Sequence, residues 1–335
     1  MPSGYFRTNE GEKIRLGRPV FRNQYSGRFG YGEVVKLQKD EYTTTNVFIR
    51  SLRPCFTSMN DVQVELEKLI DLKCRHLVAF QDFQVYEVGH KIPPIILARY
   101  TWYEGNLFDY LKNLKYPMGT SKYILWCYQA GKALSYLSGL GFFHRRLCPR
   151  ACQLDFNENL KISDYWTDKD IEDTPLFQKI DTTNPLSENL GMHRDGWRFL
   201  PPETILSNLF TSSSQVWNYA LLIWQIFTHC RFANRIHYAS LADFLAAKLE
   251  DDPFYMPGAL SRTEANQGLP ERRRRMLAFY KACEKFPSSP KAFNYMIPKC
   301  LKKNPDERST WTELFSVVDA EYRISKLSFS LSKVI

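Results

Sequence analysis

Two short segments hold the residues whose types could carry out chemistry. Residues 143–151 have the sequence FHRRLCPRA, and residues 161–166 have the sequence KISDYW. Asp164 carries a carboxylate that could bind a divalent cation, whereas the guanidinium of Arg146 stays protonated and cannot accept a proton. A lone His-Arg pair typically marks a capped turn, and a lone aspartate a solvated turn. The function of these two segments can therefore be inferred only from their order and spacing relative to other motifs in the chain.

Three further segments follow these two along the chain. Residues 198–203 have the sequence RFLPPE, residues 214–220 have SQVWNYA, and residues 300–308 have CLKKNPDER. Independent accidents would not share one order and one spacing. The five segments together therefore indicate a single domain type rather than five unrelated turns.

The elements that must position these segments change in character along the chain. Up to about position 99 the apolar residues form short β-rich runs bounded by Gly, Pro or charged residues, as strands are. One amphipathic helix interrupts them at 59–72, and after 105–107 the pattern becomes helical. The predicted strands are 33–37, 46–50 and 95–98, and the predicted later helices are 121–137, 215–228, 241–248, 270–284, 292–301 and 310–325.

In this order the segments resemble the protein kinase family, and within it the tyrosine kinase group. They are similar to the family motifs HRDLAARN, KISDFG, RWMAPE and SDVWSYG and to its closing CW…P..RP segment. The resemblance implies an α+β, bilobal protein kinase-like fold with a small β-rich N-lobe and a larger helical C-lobe. We expect the N-lobe at 14–100 and the C-lobe at 101–325, which together form one domain at 14–325, followed by a tail at 326–335.

Residue by residue, the resemblance shows departures at the catalytic positions. Arg146 stands where kinases have the aspartate that accepts the substrate proton, and Ala151 stands where they have a metal-binding asparagine. Arg50 replaces the lysine of the third kinase strand and could still pair with Glu65 on the first helix. Asp164 is the remaining metal candidate. On these grounds we predict a pseudokinase that is not an enzyme.

The positions that resemble the nucleotide site also depart from the family. Phe48 stands where a small alanine covers the adenine, Gln153 makes the other face of the pocket polar, and Phe29 replaces the central glycine of the phosphate loop. A second alignment of this loop starts instead at 16–18. We therefore expect no cofactor and no binding of ATP or magnesium. The remnant cofactor positions are Gly27, Phe29, Gly32, Val34, Phe48 and Gln153.

The structural frame of the family is retained. Glu203 and Arg308 match a buried ion pair that joins the APE motif to a late helix. Gln215 replaces an aspartate that holds the catalytic loop, and a neutral amide could still accept those hydrogen bonds. The positions that resemble the internal regulatory spine are Leu69, Phe80, His144 and Tyr165.

The charge of the chain suggests partners. The net charge is +9, which could serve nucleic acid or an acidic surface, but we do not expect specific nucleic-acid binding. An insertion relative to tyrosine kinases contains four consecutive arginines, which form either a solvated face or a docking surface for a phosphorylated or acidic partner. They are Arg272, Arg273, Arg274 and Arg275.

Cysteine usage and hydropathy predict the compartment. The eight cysteines form no CxxC pair, as in reduced intracellular proteins. No apolar stretch approaches the ~20 residues that span a bilayer, and the start of the chain lacks the features of a signal peptide. We expect a cytoplasmic protein, or the cytosolic part of a longer membrane protein.

The sequence favours one function and leaves two open. The favoured function is a catalytically inactive, tyrosine kinase-like domain that acts as a scaffold or allosteric regulator in intracellular signalling, with other signalling proteins, such as an active kinase, as partners. The first alternative is a weakly active or unconventional kinase that binds ATP through Asp164 and a displaced lysine such as Lys36. The second is the cytosolic pseudokinase domain of a larger receptor.

Overall fold

The structure is a computed structural model that describes most of the sheet and of the helical core. Of the described residues, those up to position 63, position 65, 85–86, 95–98 and 329–331 are described by their backbone alone. The described residues are 5–7, 13–21, 26–27, 30–38, 44–52, 59–86, 95–101, 103, 105–116, 118–145, 147–163, 165, 201, 203–204, 210–230 and 289–331.

The N-terminal part is a twisted antiparallel sheet with one helix against it. Its strands are β1 (Tyr5–Arg7), β2 (Lys13–Phe21), β3 (Ser26–Gly27), β4 (Gly30–Gln38), β5 (Thr44–Leu52), β6 (Phe80–Tyr86) and β7 (Ile95–Thr101). The order across the sheet is β1-β2-β4-β5-β7-β6, with β3 paired to β4. Helix α1 (Met59–Ile70) lies between β5 and β6 in the chain and packs next to β6.

The C-terminal part is helical apart from a small three-stranded sheet. Its helices are α2 (Leu107–Asn113), α3 (Thr120–Gly139), α4 (Ser212–Phe227), α5 (Lys291–Cys300) and α6 (Trp311–Leu331). Two 3-10 turns, Pro149–Ala151 and Pro305–Glu307, connect elements. The small sheet has the order β10-β9-β8 and consists of β8 (Gly105–Asn106), β9 (Cys152–Leu154) and β10 (Leu160–Ile162).

Helix α4 is the centre of the helical core. Every residue from Ser214 to Phe227 is buried, as expected of a helix that is apolar on all sides. It begins with a capping box in which Thr211 and Ser214 exchange side-chain to backbone hydrogen bonds. The long helices α3 and α6 pack beside it, so the core forms where these three helices meet.

This architecture confirms the predicted bilobal α+β fold. The predicted helices at 241–248 and 270–284 lie outside the described residues. Helix α6 continues to Leu331 without a break at position 325, where the sequence analysis ended the domain. Among the residues that the structure describes, no helix is both long enough and apolar enough to cross a membrane.

Candidate active site

The catalytic-loop segment is anchored to the metal-motif segment by a buried histidine. His144 is 1% exposed, and its Nε2 atom lies 2.7 Å from the carbonyl oxygen of Ser163. Such a contact replaces two hydrogen bonds to water with one inside the protein, and breaking it would leave a buried polar group unsatisfied. The two segments that carry the chemistry are therefore held together by their own residues.

Ala151 and Ser163 strengthen this junction. The backbone N–H of Ser163 donates to the carbonyl oxygen of Ala151 at 2.8 Å, and the Ser163 hydroxyl donates to the same oxygen at 2.9 Å. Ala151 is 1% exposed and offers no side-chain oxygen to a metal. Ser163 was not singled out from the sequence, because its role depends on the backbone of a segment twelve positions earlier.

Tyr165 fixes the same junction to the N-lobe. Its side chain is buried, and its hydroxyl donates to the carbonyl oxygen of Val78 at 2.5 Å. Burial raises the pKa of the Tyr165 hydroxyl well above its ordinary range. The tyrosine therefore stays protonated and serves as a permanent donor between the lobes.

The strand register brings the remnant nucleotide positions together on the N-lobe sheet. Val34 lies opposite Phe48, and Gly32 lies opposite Arg50. On the other side of β5, Phe48 is paired with Tyr100. Gly27 is paired with Gly30 at the end of the β3–β4 hairpin. These positions thus occupy three consecutive strands of the sheet, β3, β4 and β5.

The first strand of the sheet relates the two alignments of the phosphate loop. Strand β2 pairs with β4, and Leu16 lies opposite Leu37. The second alignment, which starts at 16–18, therefore falls inside β2, whereas 27–34 follows at the turn into β4. Phe29 lies outside the described residues.

On the C-lobe, Arg150 contacts an aromatic and an acidic side chain. The guanidinium carbon of Arg150 lies 3.9 Å from the ring centre of Phe108, and its Nη1 atom lies 3.5 Å from a carboxylate oxygen of Asp109. Gln153 lies opposite Asn106 in the β8–β9 register. The Oε1 atom of Gln153 is buried, and no residue that the structure describes forms a hydrogen bond with it. Arg150 was not predicted as a site residue, although it matches an arginine of the motif HRDLAARN.

The positions expected to form the spine are all buried. Leu69 is 1% exposed, Phe80 5%, His144 1% and Tyr165 4%. The ring of Phe80 also contacts that of Tyr100 edge-on, with 5.0 Å between centroids. Their burial accords with a structural role, while the spine itself stays a proposal. Glu65 lies in α1, and its side chain is outside the description.

Glu203 and Arg308 form a bidentate pair. Nη1 and Nη2 of Arg308 lie 2.6 Å and 2.8 Å from the two carboxylate oxygens of Glu203, and the Arg308 side chain is 0% exposed. Arg308 also donates to backbone oxygens of Lys302, Ser213 and Lys303. The contact predicted from the motifs is therefore present, and additional hydrogen bonds satisfy it.

Gln215 behaves differently from the expectation. Its amide nitrogen donates to the Ser138 hydroxyl at 2.7 Å, and its buried Oε1 atom accepts no hydrogen bond from the described part of the chain. The expected acceptance of hydrogen bonds by this amide is therefore wrong. The reason is that Ser138 on α3 captures the amide nitrogen and fixes the orientation of the group.

Several predicted positions lie outside the described residues. They include Arg146, the remaining metal candidate Asp164, and the four arginines Arg272, Arg273, Arg274 and Arg275. Within the part of the chain that is described, no group of three or more His, Cys, Asp or Glu side chains is arranged to hold a metal ion.

The family model described as "Protein tyrosine and serine/threonine kinase" matches residues 22–318. That match covers both lobes and nearly all of the chain. The chain belongs to the protein kinase family.

Its similar curated relatives are growth factor receptors. The chain is 25% identical to the NT-3 growth factor receptor of Gallus gallus over 233 residues, which cover 63% of this chain and 26% of that receptor. It is 27% identical to the human receptor over 206 residues (55% and 24%) and 26% identical to the Mus musculus receptor over 200 residues (55% and 22%). The matched region spans about a quarter of these receptors.

These comparisons correct two predictions. From Arg146, Ala151, Arg50 and Phe48 we expected a protein that is not an enzyme and binds neither ATP nor magnesium. Both expectations are wrong, because the match covers a whole kinase domain and members of this family typically bind ATP with Mg²⁺. The physical reason is that several groups share the positioning and charge neutralisation in phosphoryl transfer, so single replacements do not define the class.

Proposed function

We propose that this chain is an unconventional protein kinase domain that binds ATP between its lobes and transfers phosphate slowly. The observation that supports this most is the junction of His144, Ala151 and Ser163. Three hydrogen bonds of 2.7–2.9 Å hold the catalytic loop against the segment that leads into Asp164. Positioning of this kind supplies most of the catalysis in phosphoryl transfer.

The described residues fit a nucleotide better than they fit a pair of metal ions. The buried Oε1 atom of Gln153 has no hydrogen-bond partner among the described residues, and an N–H group of a bound base would remove the cost of that unsatisfied acceptor. Ala151 supplies no oxygen ligand, so Asp164 would hold magnesium with fewer protein ligands than is usual. The metal would neutralise phosphate charge when it is bound.

The proposal also explains why transfer should be slow. The guanidinium of Arg146 cannot accept the proton of a substrate hydroxyl, so general base catalysis at that position is lost. General acid–base catalysis typically contributes about 10²–10⁴-fold. A domain that retains its frame and its nucleotide would keep the remaining rate enhancement.

A thermal shift combined with a radiolabel assay tests the proposal. We expect Mg-ATP to stabilise the protein, by about 2.7 kcal/mol at a hundredfold excess over Kd, and we expect slow incorporation of label into tyrosine-containing peptides. Asp164→Asn should abolish both effects, whereas Asp306→Asn, an exposed aspartate in a 3-10 turn, should leave both unchanged. Absence of any shift and of any transfer in the unmodified protein would overturn the proposal.

The relatives suggest a setting in signalling. We propose that the domain works in the cytoplasm with other signalling proteins, as a scaffold or allosteric regulator in addition to its slow transfer, or as the cytosolic domain of a longer receptor. The arginine run at 272–275 is the candidate docking site for an active kinase or an acidic, phosphorylated partner. Replacing all four arginines with glutamine should weaken capture of such a partner without changing transfer to a free peptide.

A further inference from the structure

A second cluster of charge lies away from the catalytic loop, where the linker after α1 meets α3 and β10. It consists of Lys73, Arg75, Lys132 and Lys161, and is called the basic patch below. The backbone N–H of Lys73 donates to the Tyr136 hydroxyl at 3.0 Å, one turn after Lys132 on α3. The ammonium group of Lys161 donates to the carbonyl oxygen of Arg75. The ammonium group of Lys73 donates to the carbonyl oxygen of Ile70 at 3.1 Å, while the charges of Arg75, Lys132 and Lys161 all act on the buried His76. Four cationic residues therefore lie on three neighbouring elements, with three of their charges close to His76.

Arg75 is held in a defined orientation at the centre of the basic patch. Its Nε–H donates to Nε2 of the buried His76 at 3.0 Å. Arg75 is exposed, and no described residue accepts a hydrogen bond from either of its Nη nitrogens. A guanidinium oriented in this way presents two parallel N–H donors, which match two oxygens of one anion.

The protein leaves most of this charge without counter-ions. Asp155 lies 3.7 Å from Lys161, and within the described part of the chain no carboxylate pairs with Lys73, Arg75 or Lys132. Asp71 is exposed on the same linker and forms no ion pair there. Among the residues that the structure describes, the basic patch therefore carries more positive than negative charge.

The cations of the basic patch affect the pKa of the neighbouring His76. Burial and the charges of Arg75, Lys161 and Lys132 together lower the pKa of His76 to about 4, while the hydrogen bond with the backbone of Leu160 acts in the opposite direction. The ring is thus neutral near pH 7 and remains able to accept the hydrogen bond from Arg75. A bound anion would offset the cations and make the ring easier to protonate.

We propose that the basic patch binds the phosphate group of a phosphorylated side chain on a partner protein. A phosphate monoester carries nearly two negative charges and three acceptor oxygens at neutral pH, which suits one bidentate arginine flanked by lysines. An extended polyanion such as nucleic acid or a lipid surface would call for cations spread over a wider area, whereas these gather around one arginine. The proposal does not depend on the catalytic activity of the domain.

An NMR titration of the intact chain tests it. The imidazole C–H signal of His76, assigned with the variant His76→Gln, is followed while a phosphotyrosine peptide, the same peptide without phosphate, or inorganic phosphate is added. We expect saturable shifts with the phosphopeptide alone at low concentration, together with a rise in the pKa of His76. Arg75→Gln and Lys132→Gln should each weaken binding by about tenfold, as expected for the loss of a charge-assisted contact.

The control is Lys291→Gln, which removes an exposed lysine at the start of α5 and should leave the affinity unchanged. Equal weakening by this control would show non-specific attraction and overturn the proposal. Inorganic phosphate binding as tightly as the phosphopeptide would overturn the assignment to a protein partner. So would stronger binding to vesicles that contain phosphatidylserine, or to a single-stranded oligonucleotide.

Discussion

Arg308 illustrates how much one buried side chain can stabilise a fold. Its guanidinium is fully buried, meets both oxygens of Glu203, and donates to three backbone carbonyls. It also lies over the ring of Trp217, 4.9 Å from the ring centre. Removing the carboxylate would leave this charge in a low dielectric with partners that do not neutralise it.

Glu203→Ala should therefore lower the free energy of unfolding by about 3–5 kcal/mol, as measured by urea denaturation. The matched control is Arg323→Gln, which breaks the exposed pair between Arg323 and Asp319 on α6 and should change stability by less than about 0.5 kcal/mol. Similar losses in the two variants would mean that the Glu203–Arg308 pair is not the anchor described above.

His76 gives the protein a specific pH dependence. Its folded-state pKa is lowered to about 4, below the ordinary value of about 6.5, so the unfolded chain takes up its proton first as the pH falls. Stability should decline from about pH 6.5 towards about pH 4. In His76→Gln this component should be absent, as seen by comparing denaturation midpoints at several pH values.

Two carboxylates also lower the stability at acid pH, and they do so equally in the wild type and in His76→Gln. Hydrogen bonds from Asn159 and Asn157 lower the pKa of Asp155 although burial acts to raise it, and hydrogen bonds from Tyr110 and Lys122 lower the pKa of Glu158. Their contribution to stability disappears at acid pH in wild type and variant alike. The difference between the two proteins therefore isolates His76, and identical pH profiles would contradict the prediction.

At the residue scale the sequence predicted what a motif defines and missed what only packing decides. Glu203 and Arg308 were paired correctly because each lies in a recognisable segment. The unsatisfied oxygen of Gln215 could not be foreseen, since it depends on the hydroxyl of Ser138 in a helix far away in sequence. The contact of Arg75 with His76 was missed because the linker carries no periodic signal.

At the scale of elements, the close packing of α3 against α4 and α6 requires a glycine at position 131. Gly131 lies on α3 where the Phe315 ring of α6 and the Tyr219 hydroxyl of α4 come so close that a Cβ atom would overlap both. The Tyr219 hydroxyl also donates to the carbonyl oxygen of Cys127 at 2.7 Å. A side chain at position 131 would push the three helices apart.

Gly131→Ala should destabilise the protein by about 1–3 kcal/mol, the usual cost of overpacking, even though alanine favours helix. Gly139→Ala, at the end of the same helix with nothing within 4 Å of a Cβ, should be neutral or stabilising by up to about 1 kcal/mol. Thermal unfolding followed by circular dichroism distinguishes the two variants. Equal effects would show that the three helices tolerate a wider separation.

Element type was the most predictable feature, and element ends were the least. The helices predicted at 121–137 and 215–228 correspond to α3 and α4, because long periodic apolar runs allow few alternatives. The last helix was predicted from its apolar pattern to end at 325. The helix itself continues to Leu331 because no glycine or proline interrupts it.

At the scale of the whole molecule, the burial of the cysteines shows how well the core of the C-lobe is shielded from solvent. Cys127, Cys152 and Cys230 are 0% exposed, and Cys74 is only partly buried. Burial raises the pKa of the Cys127, Cys152 and Cys230 thiols, and that of the Cys300 thiol to about 12. These thiols are therefore shielded and almost fully protonated near neutral pH.

Among the six cysteines that the structure describes, Cys74 should react first with a maleimide under native conditions. The other five should react only after denaturation, because the thiolate is the nucleophile and its formation requires exposure. Peptide mapping by mass spectrometry after a timed reaction checks this. Early labelling of Cys127 or Cys152 would contradict the closed core described above.

The whole fold could be predicted from the order of its motifs, whereas its chemistry could not. Arg146 and Ala151 led to the expectation of a protein that is no enzyme, which the family match corrected. A substitution shows which group is missing, but not whether neighbouring groups such as Ser163 still hold the site in place. That information lies in backbone geometry, which the residue types do not encode.

The end of α6 has a consequence for how this domain could be exchanged between proteins. The family match stops at position 318, yet α6 continues to Leu331, and the ring of Tyr322 lies parallel to that of Tyr128 on α3 with 4.0 Å between centroids. A transferred domain that ended at position 318 would contain Tyr128 but lack Tyr322, and the stack between the two rings would be lost. Keeping this stack in a transferred domain would require a boundary after Tyr322.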